Sequence, residues 1–311
     1  MRKTIDNVMP AESLSSAGTA NARLVYMSDF LELLAADAAN SSDFTDRSGI
    51  SATDRARTVL FECLFNHLAD DRVASLFTIL GFEHDFTCYA IAGYPARSAA
   101  RSRVDIEKIV ADFGGTCLTA ERPITGLTGA DNGTGRTAVV ALIRPVGAAT
   151  PEIICNTIAP AFDADRPIAL GPQRTGAEGA MRSVQATLYC LRAAPALAAT
   201  AQSLPRPLRT DDALPERALI GDEDARDELI RVVYGSLTAA GPDDPTLLTV
   251  STFLKYGGSL ETCAKELNVH PNTIRYRLKR AAESTGWDAT DPREAYVLIT
   301  AIALGRMATA Q

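Results

Sequence analysis

The sequence predicts a multidomain chain, an α/β middle followed by an all-α C-terminal unit, and three observations carry that expectation. Apolar, strand-like runs alternate with helical segments between Phe86 and Leu191, the pattern of one sheet covered by helices. A stretch rich in Pro and Arg, Thr200–Asp212, then interrupts it. Beyond Asp244 no strand-like run occurs, and helix start and stop signals succeed one another to the end. At 311 residues the chain is long enough to bury a sizeable core in each of two domains.

Taken in order, residues 1 to about 20 are polar, small and aperiodic, and read as a disordered leader. Leu24–Ala38 has helical spacing through Leu24, Met27, Phe30, Leu31 and Leu34. Asn40–Ser51 reads as a loop, and Ala52 to about Leu80 as a helical stretch broken near Asp70-Asp71. In the middle, Phe86–Ala92 is a strand, Asp105–Phe113 a helix stopped by Gly114-Gly115, and Thr116–Thr119 a short strand before a Gly-rich turn region. Thr137–Ile143 is a strongly apolar strand, Pro151–Phe162 a helix, Pro167–Leu170 a strand and Ala177–Leu191 a long helix. Asp222–Leu237 is a helix, and Gly241-Pro242-Asp243-Asp244 a break. The expected division is a leader and helix at 1–50, an α/β domain at 51–199, a linker and connecting helix at 200–244, and a helical domain at 245–311.

Composition excludes several classes. With 46% hydrophobic and 22% charged residues the chain is an ordinary globular one. No apolar run is long enough to span a membrane, and the N-terminus has no signal-peptide core, so a cytoplasmic location is expected. Six scattered cysteines, none in a C-x-x-C pair, read as buried, reduced thiols. With only His67, His84 and His270, no zinc site of the usual spacing can be assembled, and neither metal nor cofactor is expected. The net charge of −7 is unevenly placed. From Pro245 to Gln311 eight basic residues face six acidic ones, a net of +2, and four of the eight lie within Arg275–Arg280. The acidity belongs to the body.

The functional signal is in that tail. Asp244-Pro245 offers a cap and a first-turn proline for a helix through Leu247, Leu248, Val250, Phe253 and Leu254, which Gly257-Gly258 end in left-handed conformations. Ser259 caps a helix over Leu260–Leu267; Asn268-Val269-His270 connects; Pro271 opens a further helix ending near Gly286; Asp291-Pro292-Arg293-Glu294 is a capping-box-like start for a last helix, Pro292–Arg306. Two short helices joined by three residues are a helix-turn-helix. Cys263, Ala264 and Leu267 form the inner face of its first helix, Val269 plugs the turn, and Ile274 and Leu278 form the inner face of the second. At about 100° per residue Asn272, Tyr276 and Lys279 then face outward, flanked by Thr273 and Arg280 on one side and by Arg275 and Arg277 on the others. Asn reads adenine, Arg and Lys read guanine or hold phosphate, and the free N–H groups at the helix start, next to His270, suit a phosphate. A basic run is more often only a solvated face; here cap, turn length, buried pattern and polar exterior coincide.

The run from Gly257 to Ala264, followed by Val269-His270-Pro271-Asn272-Thr273-Ile274-Arg275-Tyr276-Arg277-Leu278, resembles the C-terminal helix-turn-helix of PucR/CdaR-type bacterial regulators. Thr285-Gly286 and Asp291-Pro292-Arg293-Glu294-Ala295 continue the likeness, and Leu214–Leu219 with Gly221-Asp222 through Tyr234 looks like the joining segment of actinobacterial members. Leu80-Gly81-Phe82 and the strand after it resemble the start of the family's GGDEF-like domain, while the Gly-Gly-Asp/Glu-Glu-Phe signature itself is missing between the middle strands. The resemblance implies a degenerate sensor or dimerisation module and a non-enzymatic, effector-responsive DNA-binding regulator. It further implies double-stranded DNA and a second copy of the chain as partners, with a small-molecule effector, and hints at fatty-acid or other metabolic genes as targets.

Other signals weigh less. Gly133-Thr134-Gly135-Arg136-Thr137-Ala138 matches a dinucleotide fingerprint but precedes a strand instead of following one, so a hairpin loop explains it. His67 is read as lying in a helix and His84 in a loop, each without a partner. The competing reading, an α/β enzyme or small-molecule-binding protein with an accessory helical tail, lacks convergent catalytic groups.

Overall fold

The computed structural model describes residues 51–83, 85–125, 136–198, 204–241 and 244–310. The leader, the Leu24–Ala38 helix, His84 and the Gly-rich turn lie outside the described residues. Contacts divide the chain into two units, Met1–Val59 and Leu60–Gln311. Of the first, only the opening of α1 (Ala52–Phe65) is described, where Ser51 Oγ accepts from the Asp54 N–H at 3.1 Å. All that follows lies in the second unit.

α1 ends in a Schellman motif: the Leu68 N–H donates to Cys63 O and the His67 N–H to Leu64 O, with His67 left-handed at φ 59. His67 therefore closes a turn and is not in a helix as its sequence context suggested. Asp70 accepts from the N–H groups of Arg72 and Val73 and opens α2 (Asp71–Ile79), which places the expected break at Asp70-Asp71.

The sheet order is β2 (Thr116–Ile124), β3 (Arg136–Arg144), β1 (Thr87–Gly93), β4 (Ile168–Leu170), β6 (Leu208–Arg209), with β5 (Arg174–Thr175) pairing the start of β1. β1 is central and antiparallel to both neighbours, Ile91 lying between Ala141 and Leu170. A strand buried on both faces reads as a continuous apolar run. On one face Tyr89, Ile91, Val139, Ala141 and Ile143 pack with Ile106 and Val110 of α3 (Ala99–Asp112) and with Ile154 and Ile158 of α4 (Pro151–Ile158). On the other lies α5 (Gly176–Ala198), whose Ser183 Oγ accepts from the Ala90 N–H at 2.9 Å and donates to Pro172 O at 2.8 Å. This is the α/β unit anticipated, with four corrections. α3 begins six residues early because Ser98 caps it through the Arg101 N–H. β2 runs on to Ile124 because it pairs with β3 along its whole length. α4 gives way to a 3-10 turn, Ala159–Ala161, where Pro160 has no N–H to continue the α pattern. α5 extends to Ala198.

The Pro- and Arg-rich stretch is not all connection. Leu208 and Arg209 add a parallel edge to β4, a 3-10 turn (Thr210–Ala213) follows, and α6 (Leu214–Leu219) begins a helical run. α7 (Glu223–Glu228), capped by Asp222, passes through a π-helical turn, Leu229–Tyr234, into α8 (Gly235–Thr238). α9 (Thr246–Lys255), α10 (Leu260–Glu266), α11 (Pro271–Thr285) and α12 (Pro292–Thr309) complete the chain. Leu214, Leu229, Val233 and Leu237 share one core with Val250, Phe253, Ile274, Leu278 and Val297, so the connecting helices and the last four pack as one body. Trp287 lies against that core, half-buried.

Five of the six cysteines are buried and Cys117 is half-buried. Burial pushes the thiols of Cys88, Cys155 and Cys190 up to about 12 and that of Cys63 to about 11, which keeps them protonated and unreactive. No helix among the described residues is long and apolar enough to cross a membrane.

Candidate nucleic-acid interface

The last four helices follow from local signals. Asp244 Oδ1 accepts from the Thr246 N–H at 2.7 Å, so α9 starts after Pro245 and not at it. The helix ends on Gly257 at φ 63, the Gly258 N–H closing on Phe253 O and the Gly257 N–H on Leu254 O. Ser259 Oγ accepts from the Thr262 N–H to open α10. The turn repeats the same closure with an asparagine: Asn268 is left-handed at φ 51, its N–H donates to Lys265 O, and the Val269 N–H donates to Ala264 O. Asn is one of the few non-glycine residues that adopts this conformation readily.

His270 is the N-cap of α11; its Nδ1 accepts from the Asn272 N–H at 3.2 Å. An accepting Nδ1 carries no proton, so in neutral His270 the ring hydrogen sits on Nε2. The Thr273 N–H donates to His270 O. Two of the helix-start N–H groups read from sequence as free for a phosphate are thus already used. Gly286, left-handed at φ 79, closes the helix. At α12 Asp291 accepts from the N–H groups of Arg293 and Glu294, but Glu294 reaches past it to the Asp288 N–H, so the capping box is only half formed.

Cys263, Ala264, Ile274 and Leu278 are buried, and Leu267 and Val269 pack at the margin of the same core. On the other side of α11, Asn272, Arg275, Tyr276, Lys279 and Arg280 are exposed, and Thr273 and Arg277 are half-buried. Tyr276 is 68% exposed. Arg275 Nη1 donates to Asn272 Oδ1 at 2.7 Å, one turn back, which orients both side chains. Lys279 lies 3.9 Å from Glu283.

Two side chains behave differently from their wheel positions. Arg277 turns toward α9 and donates to Thr249 Oγ1 at 3.3 Å. Arg280 lies 3.3 Å from Asp244. These contacts tie α11 to α9 and to the cap just before it, and neither partner stands out by spacing; the sequence offers Asp244 only as a cap. Among the described residues no group of three or more His, Cys, Asp or Glu side chains is placed to hold a metal.

Comparison with known proteins gives two family matches and a set of relatives. Residues 246–304 match the PucR C-terminal helix-turn-helix domain and residues 66–193 match the GGDEF-like domain. The chain is 40% identical over 172 residues to uncharacterized proteins of Mycobacterium tuberculosis and Mycobacterium bovis, covering 55% of this chain and 39% of theirs; it thus spans about two fifths of their length. It is also similar to a solved structure, the regulator of polyketide synthase expression from Bifidobacterium adolescentis. That likeness has a TM-score of 0.73 at 50% identity and covers 86% of this chain and 96% of that one.

Proposed function

The chain belongs to the PucR-type regulators, and on that premise we propose that it is a transcriptional regulator that reads the DNA major groove with the outer face of Pro271–Arg280. The observation that carries this is the two-sidedness of α11. Ile274 and Leu278 are buried, while Asn272, Arg275, Tyr276 and Lys279 form an exposed row with almost no acidic relief. A helix of this kind, clamped by α10 across a tight turn, fits the groove's width and its donor and acceptor pattern.

The roles divide by chemistry. Asn272, its amide oriented by Arg275, suits an adenine edge. Arg275 and Lys279 suit guanine or phosphate, and Tyr276 the edge or methyl of a base. His270, its Nδ1 taken up by the Asn272 N–H, offers its Nε2–H to a phosphate, and Thr273 its hydroxyl. Arg277 holds the helix on α9, Arg280 on the cap before it, and both add positive potential. One such helix covers little DNA, so a homodimer or higher oligomer on paired half-sites is the working form. The central α/β unit would set that pairing or sense an effector, acting in the cytoplasm. The named role of the polyketide synthase regulator supports a metabolic target; fatty-acid genes are the target that the family resemblance suggests.

The test is selection of bound fragments from genomic DNA by the full chain, beside the Asn272→Ala/Arg275→Ala double variant. Enrichment of a two-half-site motif by wild type alone supports the reading. Equal enrichment by a folded double variant would overturn it.

A further inference from the structure

A cavity of about 190 Å³ opens between the end of β2, the turn after α1 and one face of α5. Its polar wall is built by spacing. Gln185, Tyr189 and Arg192 stand four and three residues apart on α5 and so share one face, and Arg122 of β2 completes the wall. Phe65 and Leu188 supply an apolar side. Among the described residues no Asp or Glu lines it.

The two guanidiniums are poorly satisfied. The Nε of Arg192 is buried with no hydrogen-bond partner among the described residues, and its guanidinium lies 5.5 Å from the centre of the Tyr189 ring. The guanidinium of Arg122 lies 4.9 Å from the centre of the Phe65 ring. Its carboxylate neighbour, Glu62, is 3.9 Å away and exposed, outside the cavity wall. Gln185 Nε2 donates to Leu64 O at 2.7 Å, which fixes its amide. Ring stacking orients a guanidinium without neutralising it, and the buried Nε leaves the terminal nitrogens of Arg192 as the part of the group that can meet a ligand. Two oriented, under-neutralised cations beside an apolar wall are complementary to an anion with an apolar body.

We infer that this cavity binds a small organic carboxylate, its oxygens held by Arg192 and Arg122 and its hydrocarbon part laid against Leu188 and Phe65. The volume equals that of about six waters, which admits a benzoate- or hexanoate-sized molecule. The inference deepens the effector-responsive reading above and rests on it only for its consequence. α5 also carries Arg182, 3.6 Å from Asp224 of α7, so the helix that lines the cavity also contacts the body that presents α11.

The experiment is fluorine NMR of 4-fluorobenzoate with the full chain, beside 4-fluorobenzyl alcohol, inorganic phosphate, and the Arg192→Met and Arg122→Met variants, each checked for an unchanged thermal midpoint. Expected are saturable binding of the carboxylate, at least tenfold weaker binding of the alcohol and of phosphate, and at least a tenfold loss in each folded variant; should Arg192→Met fail to fold, Arg122→Met decides. Alcohol binding as tight as carboxylate, phosphate binding as tight as carboxylate, or a folded variant that binds like wild type overturns the site. Carboxylate binding with no DNA selection by wild type would keep the site and sink the regulator reading, so the two failures are distinguishable.

Discussion

Arg293 and Glu216 meet fork to fork: Nη1 donates to Oε1 at 2.5 Å and Nη2 to Oε2 at 2.7 Å, and Nη2 also donates to Asp212 O. One residue opens the last helix of the chain and the other lies in α6, just after the sheet's edge strand. The pair locks the helix-turn-helix body to the segment that leaves the α/β unit. Bidentate geometry makes it stronger than a single surface bridge, while the partial exposure of Arg293 lets solvent screen it. In a double-mutant cycle of Arg293→Ala and Glu216→Gln, the expected coupling is about 1 kcal/mol, read by urea unfolding. Strict additivity of the two losses would show that the fork holds nothing.

Gly305 of α12 lies directly against the ring of Tyr234 in the π-helical turn. A Cβ built there would stand 2.1 Å from the Tyr234 ring, nearer than any side chain tolerates. Its backbone is ordinary helix, so the demand is for space and not for conformation. Gly305→Ala must therefore push the ring or the helix aside. A loss of about 1–3 kcal/mol is expected on overpacking grounds, despite the better helix propensity of Ala. An unchanged or raised midpoint in denaturant would mean that Tyr234 moves freely.

Asp244 joins cap and ion pair. The hydroxyl of Thr246 first, then its N–H, and then the charges of Arg280 and Arg277 hold its carboxyl below the usual carboxylate range. A carboxylate whose pKa is depressed in the folded state adds stability above its unfolded value, and that contribution is lost as pH falls through the folded value. The stability difference between wild type and Asp244→Asn should therefore be level above about pH 5 and shrink below about pH 4. A difference independent of pH from neutrality to pH 3 would remove the carboxylate from the account.

Much of this was legible because much of it is local. Ser259, Asn268, His270-Pro271 and Gly286 punctuate helices through bonds that span two to five residues, and those bonds form whatever the rest of the chain does. The buried strands announced themselves by unbroken apolar runs. What stayed hidden is what depends on distant partners. The fork of Arg293 joins residues 77 apart and the tether of Arg277 to Thr249 joins residues 28 apart; neither has a spacing rule. β6 is two residues long and owes its existence to β4. The start of α3 escaped because Ala99–Arg103 carries no apolar period to mark a helix face, and only the Ser98 cap defines it. The cavity of Arg122 and Arg192 was invisible because a strand and a helix some seventy residues apart build its wall.

Tyr276 is where folding and proposed DNA recognition separate most cleanly. Its ring is exposed and belongs to no core cluster among the described residues, so removing it should cost the fold little, within about 0.5 kcal/mol. If the outer face of α11 enters the major groove, the same ring contacts a base edge, and Tyr276→Ala should weaken binding to the selected operator by about 1–3 kcal/mol, roughly five- to 150-fold. Because a base contact carries sequence information and no charge, the salt dependence of binding should hold its slope. Arg275→Ala offers the contrast: if Arg275 holds a phosphate, its loss should lower that slope by about 1 and weaken all sequences alike. A Tyr276→Ala protein that binds its operator as wild type does would place the reading surface elsewhere on the body.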